Sequence, residues 1–323
     1  MAEIIRLRAP GGAEQLELVR VDLPSPGPGD VRIRQTAIGV NFIDIYQRLG
    51  LYALTPQSIP GVEAVGVATE VGSDVPELRA GDRIAYAGAP VGAYASERNL
   101  PAWRAIKIPD ALSDTQVACA FVKGITAHML LNRVYPVRAG TTMLVHSAAG
   151  GLGQVLTRWA SRGGATVIGT VGSDAKTAIA RAAGARHVIV GREADFASEV
   201  SGLTDRRGVD IAYDGVGGAT LAKTLACVRP FGVVASIGQS AGAIPKLDVD
   251  DLGPRRSLTL SRPSVMAYMN DAEVYHTAAA AVLAALTDGD IEGRGTAYPL
   301  REAARAHADL EGGRSRGALY LVP

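Results

Sequence analysis

A strand that runs straight into a glycine-rich turn and then a helix constrains this chain more than any other feature. Thr142-Met143-Leu144-Val145-His146 reads as a buried strand, Ser147-Ala148-Ala149-Gly150-Gly151-Leu152-Gly153 as the turn, and Gly153 to Arg162 as a helix. The alternation continues, with strands predicted at Ala165 to Thr170, His187 to Val190, Val209 to Tyr213 and Gly232 to Ile237. Helices are predicted between them at Ala175 to Ala183, Ala194 to Leu203 and Ala219 to Cys227. Short strands that are apolar on both faces need a layer of helices on each side, which is the pattern of a parallel, doubly wound sheet.

Read from Ala148, the turn is Ala-x-Gly-x-x-Gly. Small residues permit the tight turn, Gly150 lets backbone approach a diphosphate, and Gly153 lets the helix pack closely on the strand. The helix start then offers unpaired N–H groups and the positive end of its dipole to an anion. Gly150, Gly151, Leu152 and Gly153 are thus the candidate diphosphate cradle of a dinucleotide. The next strand selects between dinucleotides. It leads into Val171-Gly172-Ser173-Asp174-Ala175-Lys176, with no carboxylate at the strand end where an NAD site would hold the ribose 2′-hydroxyl. Gly172 and Ser173 leave space and a hydroxyl there. Lys176 brings a cation, and Arg192, after the following strand, brings another. A dianionic 2′-phosphate suits such a pocket. Asp174 reads as a helix cap, and NADPH is the expected cofactor.

The first third of the chain has a different rhythm. Glu17 to Val21, Val31 to Ala37, Ala64 to Val71 and Arg83 to Ala87 read as strands separated by Pro, Gly and Asp turns, which fits a small barrel-like β domain. Asp114 is a candidate cap for a helix through Gln116 to Val122, and a second helix is predicted over Thr126 to Arg133. After about Leu258 come an Ala-rich helix from Asp271 to Leu286, a helix over Arg301 to Leu310 and a strand at Ala318 to Val322. The expected layout is an α/β chain in three segments. Residues 1–122 begin a β-rich catalytic domain, 123–260 form an inserted nucleotide-binding domain, and 261–323 return to complete the first.

Bulk properties exclude several function classes. The 323 residues carry a formal net charge of +1 and no basic block, so nucleic acid is not an expected partner. No apolar run is long enough for a membrane span and no cleavable leader is evident, so a cytoplasmic protein is expected. Cys119 and Cys227, the only cysteines, read as small buried hydrophobes and not as a disulfide framework.

Taken together, several segments resemble the quinone oxidoreductase branch of the medium-chain dehydrogenase/reductase superfamily, the relatives of zeta-crystallin. They include Val40-Asn41-Phe42-Ile43-Asp44-Ile45-Tyr46, Gly50-Leu51-Tyr52, Pro60-Gly61-Val62-Glu63-Ala64-Val65-Gly66 and Ala80-Gly81-Asp82-Arg83. Lys123-Gly124-Ile125-Thr126-Ala127, the phosphate turn, Tyr213-Asp214-Gly215-Val216-Gly217 and Leu260-Ser261-Arg262-Pro263 complete the set. The resemblance implies a GroES-like catalytic domain, a Rossmann domain, a cleft that holds NADPH, and a homodimer joined by an edge strand near Val233 to Ser236 or ending at Leu260. By position, it implies that Asn41, Tyr46 and Tyr52 face the nicotinamide and substrate, and that Thr126 lies near the nicotinamide ribose. Gly172, Ser173, Lys176 and Arg192 would lie near the adenosine phosphate, Gly238-Gln239-Ser240 on the nicotinamide side, and Arg314 near the cofactor. The chain departs from the family pattern in two places. Gly191 stands where a Tyr often precedes the arginine, and Gln239 stands where Asn is common.

The same resemblance bears on metal. Zinc-dependent relatives carry a metal-binding Cys in the loop equivalent to Gly39-Val40-Asn41, and Gly-His-Glu in place of Gly61-Val62-Glu63. Catalytic zinc needs about three ligands from Cys, His and carboxylate. Asn41 is a poor substitute for thiolate and Val62 has no lone pair, so no metal is expected. Without a Lewis acid, alcohol oxidation is disfavoured. A quinone already accepts hydride well, and the phenols of Tyr46 and Tyr52 and the amide of Asn41 are candidate donors to the developing oxyanion. Reduction of enones or 2-alkenals by the same hydride geometry is an alternative, as is a non-catalytic NADPH-binding protein. His146, His128 and Asp214 read as structural, and Glu63 as a buried hydrogen-bonding residue.

Overall fold

Alternating branched apolar and polar residues carry the first third of the chain into antiparallel strands. The computed structural model describes residues 1–323. In chain order it begins with β1 (Ala2–Leu7), β2 (Leu16–Val21), β3 (Asp30–Val40) and α1 (Phe42–Arg48), then β4 (Glu63–Val71), β5 (Arg83–Ala87), β6 (Glu97–Pro101) and β7 (Ile106–Lys107). Helix α2 (Asp114–Met129) follows and runs into a π-helical turn at Leu130–Val134. Two helices were expected across this stretch; there is one. Ser113, not Asp114, closes its start, by exchanging bonds with the backbone and side chain of Gln116, while Asp114 pairs with Arg83 and Thr36. Gly124 does not interrupt the helix. A Cβ there would come within 2.7 Å of Val282, so the glycine permits close packing in mid-helix.

The alternating region gives β8 (Thr142–Val145), α3 (Gly151–Arg162), β9 (Thr166–Val171), α4 (Thr177–Ala182), β10 (His187–Val190) and α5 (Phe196–Leu203). It continues with β11 (Val209–Asp214), α6 (Thr220–Cys227), β12 (Val228–Ser236) and β13 (Thr259–Ser261). The return segment holds α7 (Val265–Tyr268), α8 (Ala272–Thr287), β14 (Gly295–Pro299), α9 (Ala303–Glu311) and β15 (Ala318–Val322). The chain divides into two units, Met1–Ile125 with Met266–Pro323, and Thr126–Val265.

In the first unit, a seven-stranded sheet runs β14-β15-β3-β4-β5-β7, with β6 also paired to β3. The eleven-residue β3 serves three partners, which pins its far end, Gly39 and Val40, between β15 and the neighbourhood of Glu63. Ile5, Val31, Ile33, Ile38, Val40, Ile84 and Tyr94 fill the core together with Leu300, Ala303, Ala306, Leu319 and Leu321 from the return segment. Burying these side chains is the main favourable term, and the C-terminal segment supplies part of it.

The second unit is a six-stranded, fully parallel sheet in the order β10-β9-β8-β11-β12-β13. From β8 the chain winds outward through β9 and β10, then returns to β11 on the other side. The order therefore reverses between β8 and β11. In open sheets of this kind, ligands bind beyond the carboxyl ends of the strands at that switch point. β12 is paired on both sides, so Val233 to Ser236 cannot be an edge; β13 (Thr259–Ser261), which contains Leu260, is one of the two edge strands, β10 being the other. No helix is long and apolar enough to cross a membrane.

Asp210 locks the start of this sheet. It is buried on β11, accepts the Thr142 N–H of β8 at 2.8 Å, and holds Arg229 at 2.6 Å as well as Arg207. Asp210→Ala removes these bonds and strands the Thr142 N–H, so it should cost about 2 kcal/mol in a denaturant titration. A loss within the scatter of surface substitutions would contradict this account.

Candidate active site

At the carboxyl end of β8, the chain folds as the sequence pattern implies. Ser147 adopts a positive φ of 55°, and α3 starts at Gly151 with Gly150 at its cap position. Gly150 has no side chain to cap the helix, so the first-turn N–H groups are left for an outside acceptor. Gly153 is required by contact: a Cβ there would lie 2.2 Å from the Ser147 carbonyl oxygen. Gln154 turns its amide back onto the Ala149 carbonyl at 2.8 Å, stiffening the turn. Gly150 to Gly153 therefore form a close-packed cradle of backbone donors that fits a diphosphate.

Beyond β9, Gly172 and Ser173 are exposed, and the Arg192 side chain passes over Gly172, within 3.6 Å of where its Cβ would be. Lys176 ends a single 3-10 turn, Asp174–Lys176, ahead of α4. The continuous helix expected from Ala175 is thus split. Asp174 is not the cap; Ser173 holds that position, and makes no side-chain cap bond. No carboxylate ends β9. A hydroxyl and a lysine in the turn after β9, with an arginine reaching Gly172 from the turn after β10, suit a phosphate monoester.

Next to β12, the segment Gly238-Gln239-Ser240 is tied into the second unit. Ser240 N–H donates to the Gly215 carbonyl, and Arg262 bridges Ser236 Oγ at 2.8 Å and Gln239 Oε1 at 3.2 Å. Thr126 opens this unit on α2. His146, just past the end of β8, is buried and hydrogen-bonds Thr170 and Thr224 through its two ring nitrogens. Asp214 accepts the N–H groups of Val216 and Gly217 and the Thr224 hydroxyl, a turn-forming role.

The first unit gathers the other candidates around α1, a helix that the sequence reading did not anticipate. Asn41 is its cap residue. The Asp44 carboxylate accepts the Asn41 backbone N–H at 2.8 Å. Asn41 Nδ2 donates to Glu63 Oε1 at 2.8 Å, and Asn41 Oδ1 accepts from Lys123 Nζ at 2.9 Å. Lys123 Nζ also lies 3.4 Å from Glu63 Oε1, and Glu63 Oε2 takes the Val122 N–H at 2.8 Å. Glu63 is 1% exposed and Lys123 7%. Tyr46 is buried on α1, and Tyr52 packs edge-on against it with ring centres 5.4 Å apart while remaining exposed. Arg314, placed by resemblance near a cofactor, bonds Asp309 at 2.6 Å and the Ala308 carbonyl.

This cluster is not a metal site. Nowhere in the chain do three or more His, Cys, Asp or Glu side chains gather in a way that could hold a metal ion. At the position of interest, Glu63 is compensated by an ammonium and two N–H donors, and Val62 contributes nothing. Lys123 and Asp44, which the structure places at the centre of this cluster, carry no functional expectation from sequence. A detectable signal was present for Lys123, a lone charge within the apolar run from Val117 to Ile125. None existed for the groups that meet Asp44, because Tyr94 and His307 are remote in sequence.

Tyr94 OH donates to Asp44 at 3.0 Å and contacts His307 Nε2 at 2.9 Å. Burial pushes the Asp44 carboxyl up to about 7, opposed by the bonds from Asn41 and Tyr94; burial, then Arg48, pushes His307 down to about 3. Between roughly pH 4 and 6.5, the folded chain therefore holds a protonated Asp44 and a neutral His307. The unfolded chain holds the reverse, so the proton counts match and the pair adds no slope to stability against pH. Asp44→Asn leaves His307 alone. Its depressed value then contributes stability that is complete above about pH 6.5 and declines on acidification, by about 2 kcal/mol at pH 5. Melting curves between pH 5 and 7.5 should diverge from wild type on the acid side; parallel curves would refute the assignment.

Comparison with known proteins agrees with this geometry. Residues 27–110 match the model of the alcohol dehydrogenase GroES-like domain, and residues 151–284 match that of the zinc-binding dehydrogenases. A 2-haloacrylate reductase from a Burkholderia species is 40% identical, over all of this chain and 99% of the relative. Quinone oxidoreductase 1 of Escherichia coli is 37% identical with full coverage of both chains. The crystal structure of the Escherichia coli quinone oxidoreductase complexed with NADPH superposes with a TM-score of 0.96 at 36% identity, again over both whole chains. With a GroES-like domain, a Rossmann sheet and no metal-ligand set, the chain belongs to the zinc-independent quinone oxidoreductase, or zeta-crystallin-like, branch of the medium-chain dehydrogenase/reductase superfamily.

Proposed function

We propose that this protein is an NADPH-dependent reductase that delivers hydride to a quinone or similar conjugated carbonyl without a metal. The observation that carries this reading is the pairing of two features: an uncapped glycine cradle followed by a carboxylate-free β9 end, and a lysine–glutamate–asparagine cluster where metal ligands would otherwise be needed. When bound, NADPH supplies the hydride. Gly150 to Gly153 hold its diphosphate through backbone N–H groups. Gly172, Ser173, Lys176 and Arg192 would receive the 2′-phosphate, Thr126 would lie by the nicotinamide ribose, Gly238, Gln239 and Ser240 on the nicotinamide side, and Arg314 near the cofactor. Asn41, Tyr46 and Tyr52 face the nicotinamide and the substrate, where an amide N–H and phenol hydroxyls donate to the oxygen that gains charge. No buried acid stands assigned to the substrate, and the final proton comes from water.

A second reading, reduction of an electron-poor carbon–carbon double bond, is favoured by the 40% identity to a 2-haloacrylate reductase. It uses the same hydride and the same oxyanion contacts. The reading also includes a cytoplasmic setting and a homodimer assembled through the free edge of β13, since an unpaired edge strand is a ready template for pairing.

The deciding experiment is an NADPH-oxidation screen over p-quinones, α,β-unsaturated ketones, 2-chloroacrylate and saturated aldehydes, with and without a chelator. Activity on the conjugated acceptors, unchanged by chelation, is expected; activity restricted to saturated aldehydes, or abolished by chelation, would overturn the reading. Lys176→Ala and Arg192→Ala should each raise the KM for NADPH about tenfold, equivalent to one charge-assisted bond, and leave NADH within twofold. Equal effects on both cofactors would remove these residues from phosphate recognition.

A further inference from the structure

We propose that Lys123 and Glu63 are positioning residues that hold the Asn41 carboxamide in one orientation, so that its remaining N–H is presented as a donor to the substrate oxyanion. This rests on the reading above, in which Asn41 faces the substrate. An asparagine amide has two nearly isosteric orientations, and in most settings either is accessible. Here the choice is made by charge. The ammonium of Lys123 sits 2.9 Å from Oδ1, where only an acceptor is tolerated, and the Glu63 carboxylate sits 2.8 Å from Nδ2, where only a donor is tolerated. A flipped amide would set its NH2 against an ammonium and its oxygen against a carboxylate. One Nδ2 hydrogen is consumed by Glu63; the other has no acceptor in the protein.

Charge also tunes the donor. A carboxylate on one N–H pushes electron density onto the nitrogen and weakens the other N–H. A cation on the carbonyl oxygen draws that density back through the conjugated amide and restores it, as hydrogen bonds polarise one another in a low-dielectric site. Lys123 thus offsets the side effect of the anchor that Glu63 provides. The cluster is rigid because each member is held from elsewhere. Glu63 Oε2 takes the Val122 N–H at 2.8 Å, Asn41 N–H is closed by Asp44 at 2.8 Å, and Gly39 admits the carboxylate, since a Cβ there would fall 2.2 Å from Glu63 Oε1. Nothing in the cluster binds NADPH phosphates, so cofactor affinity is separable from the effect.

The test uses purified full-length Lys123→Met, Glu63→Gln and the double variant, with rates normalised to NADPH-binding sites counted by fluorescence titration. The acceptors are 1,4-benzoquinone and an α,β-unsaturated ketone. For Lys123→Met, kcat should fall about 30-fold, below the 10²–10³ typical of deleting an oxyanion donor outright, while the NADPH Kd stays within twofold. The isotope effect on kcat with NADPH deuterated at nicotinamide C4 should be at least as large as that of the wild type, because hydride transfer is the step that is slowed. The double variant should lose no more than Lys123→Met alone, because the two residues act on the same amide. It should also melt above Lys123→Met in the absence of NADPH, since no uncompensated carboxylate remains.

A Lys123→Met protein with normal NADPH affinity and kcat within twofold of wild type overturns the proposal. So does a fall in kcat accompanied by an isotope effect smaller than that of the wild type, which would mean that a step other than hydride transfer had been slowed. If Lys123→Met does not fold, Glu63→Gln decides the matter: a neutral amide no longer enforces the orientation, and an unchanged kcat with an unchanged isotope effect overturns the proposal. A wild-type protein that binds NADPH but reduces none of these acceptors overturns the functional reading and this inference together, whereas an active wild type with unaffected variants overturns the inference alone.

Discussion

A carboxylate buried to 1% exposure organises the first unit. Removing an ionised Glu from water costs several kcal/mol unless charge and hydrogen bonds replace the solvent. Glu63 recovers that cost by drawing four pieces of chain to itself. Its own strand β4 supplies the backbone, and the end of β3 yields space at Gly39. The start of α1 provides the Asn41 amide, and α2 provides an N–H and the Lys123 ammonium. These contacts fix where α1 begins, and therefore where Tyr46 and its edge-on neighbour Tyr52 stand. The same compensated charge leaves no vacant carboxylate oxygen for a metal, so the chemistry available there is hydrogen bonding in place of Lewis acidity.

The second unit depends on an opposite kind of economy. Where the first uses charge to place an amide, the second uses the absence of side chains to expose backbone. The loop after β8 lies at the point where the sheet order reverses, and its glycines bring Ser147 and the first turn of α3 within contact distances no larger residue could match. Free N–H groups then converge without any charged residue in the loop itself. The next turn, after β9, is open in a different way: Gly172 and Ser173 are exposed, and the Arg192 side chain passes over Gly172.

The buried triad Asp44–Tyr94–His307 shows how far the return segment reaches. His307 lies on α9, yet it contacts the phenol of Tyr94, which in turn supports the carboxyl that closes the start of α1. Burial acts oppositely on the two titratable ends, raising the acid and lowering the base, so both are neutral near pH 6 and no net charge is buried. The C-terminal segment therefore contributes more than apolar surface; it sets the electrostatic state beneath Asn41.

Periodicity and turn chemistry are local properties, and whatever depends on them was legible in the residues alone. The strand–helix alternation from β8 to β12, the glycine cradle, the carboxylate-free end of β9 and the lack of metal ligands could all be read without coordinates. Local reading failed where a distant contact overrode local preference. Gly124 looks like a helix break but sits inside α2 because Val282 needs the space, and Asp114 looks like a cap but serves Arg83. Val233 to Ser236 has the composition of any strand, and only its pairing on both sides rules it out as an edge. The meeting of Lys123, Glu63 and Asn41, like that of Asp44, Tyr94 and His307, joins residues from separate elements. Which charges become neighbours, and hence which way an amide faces, is a property of packing that sequence spacing does not encode.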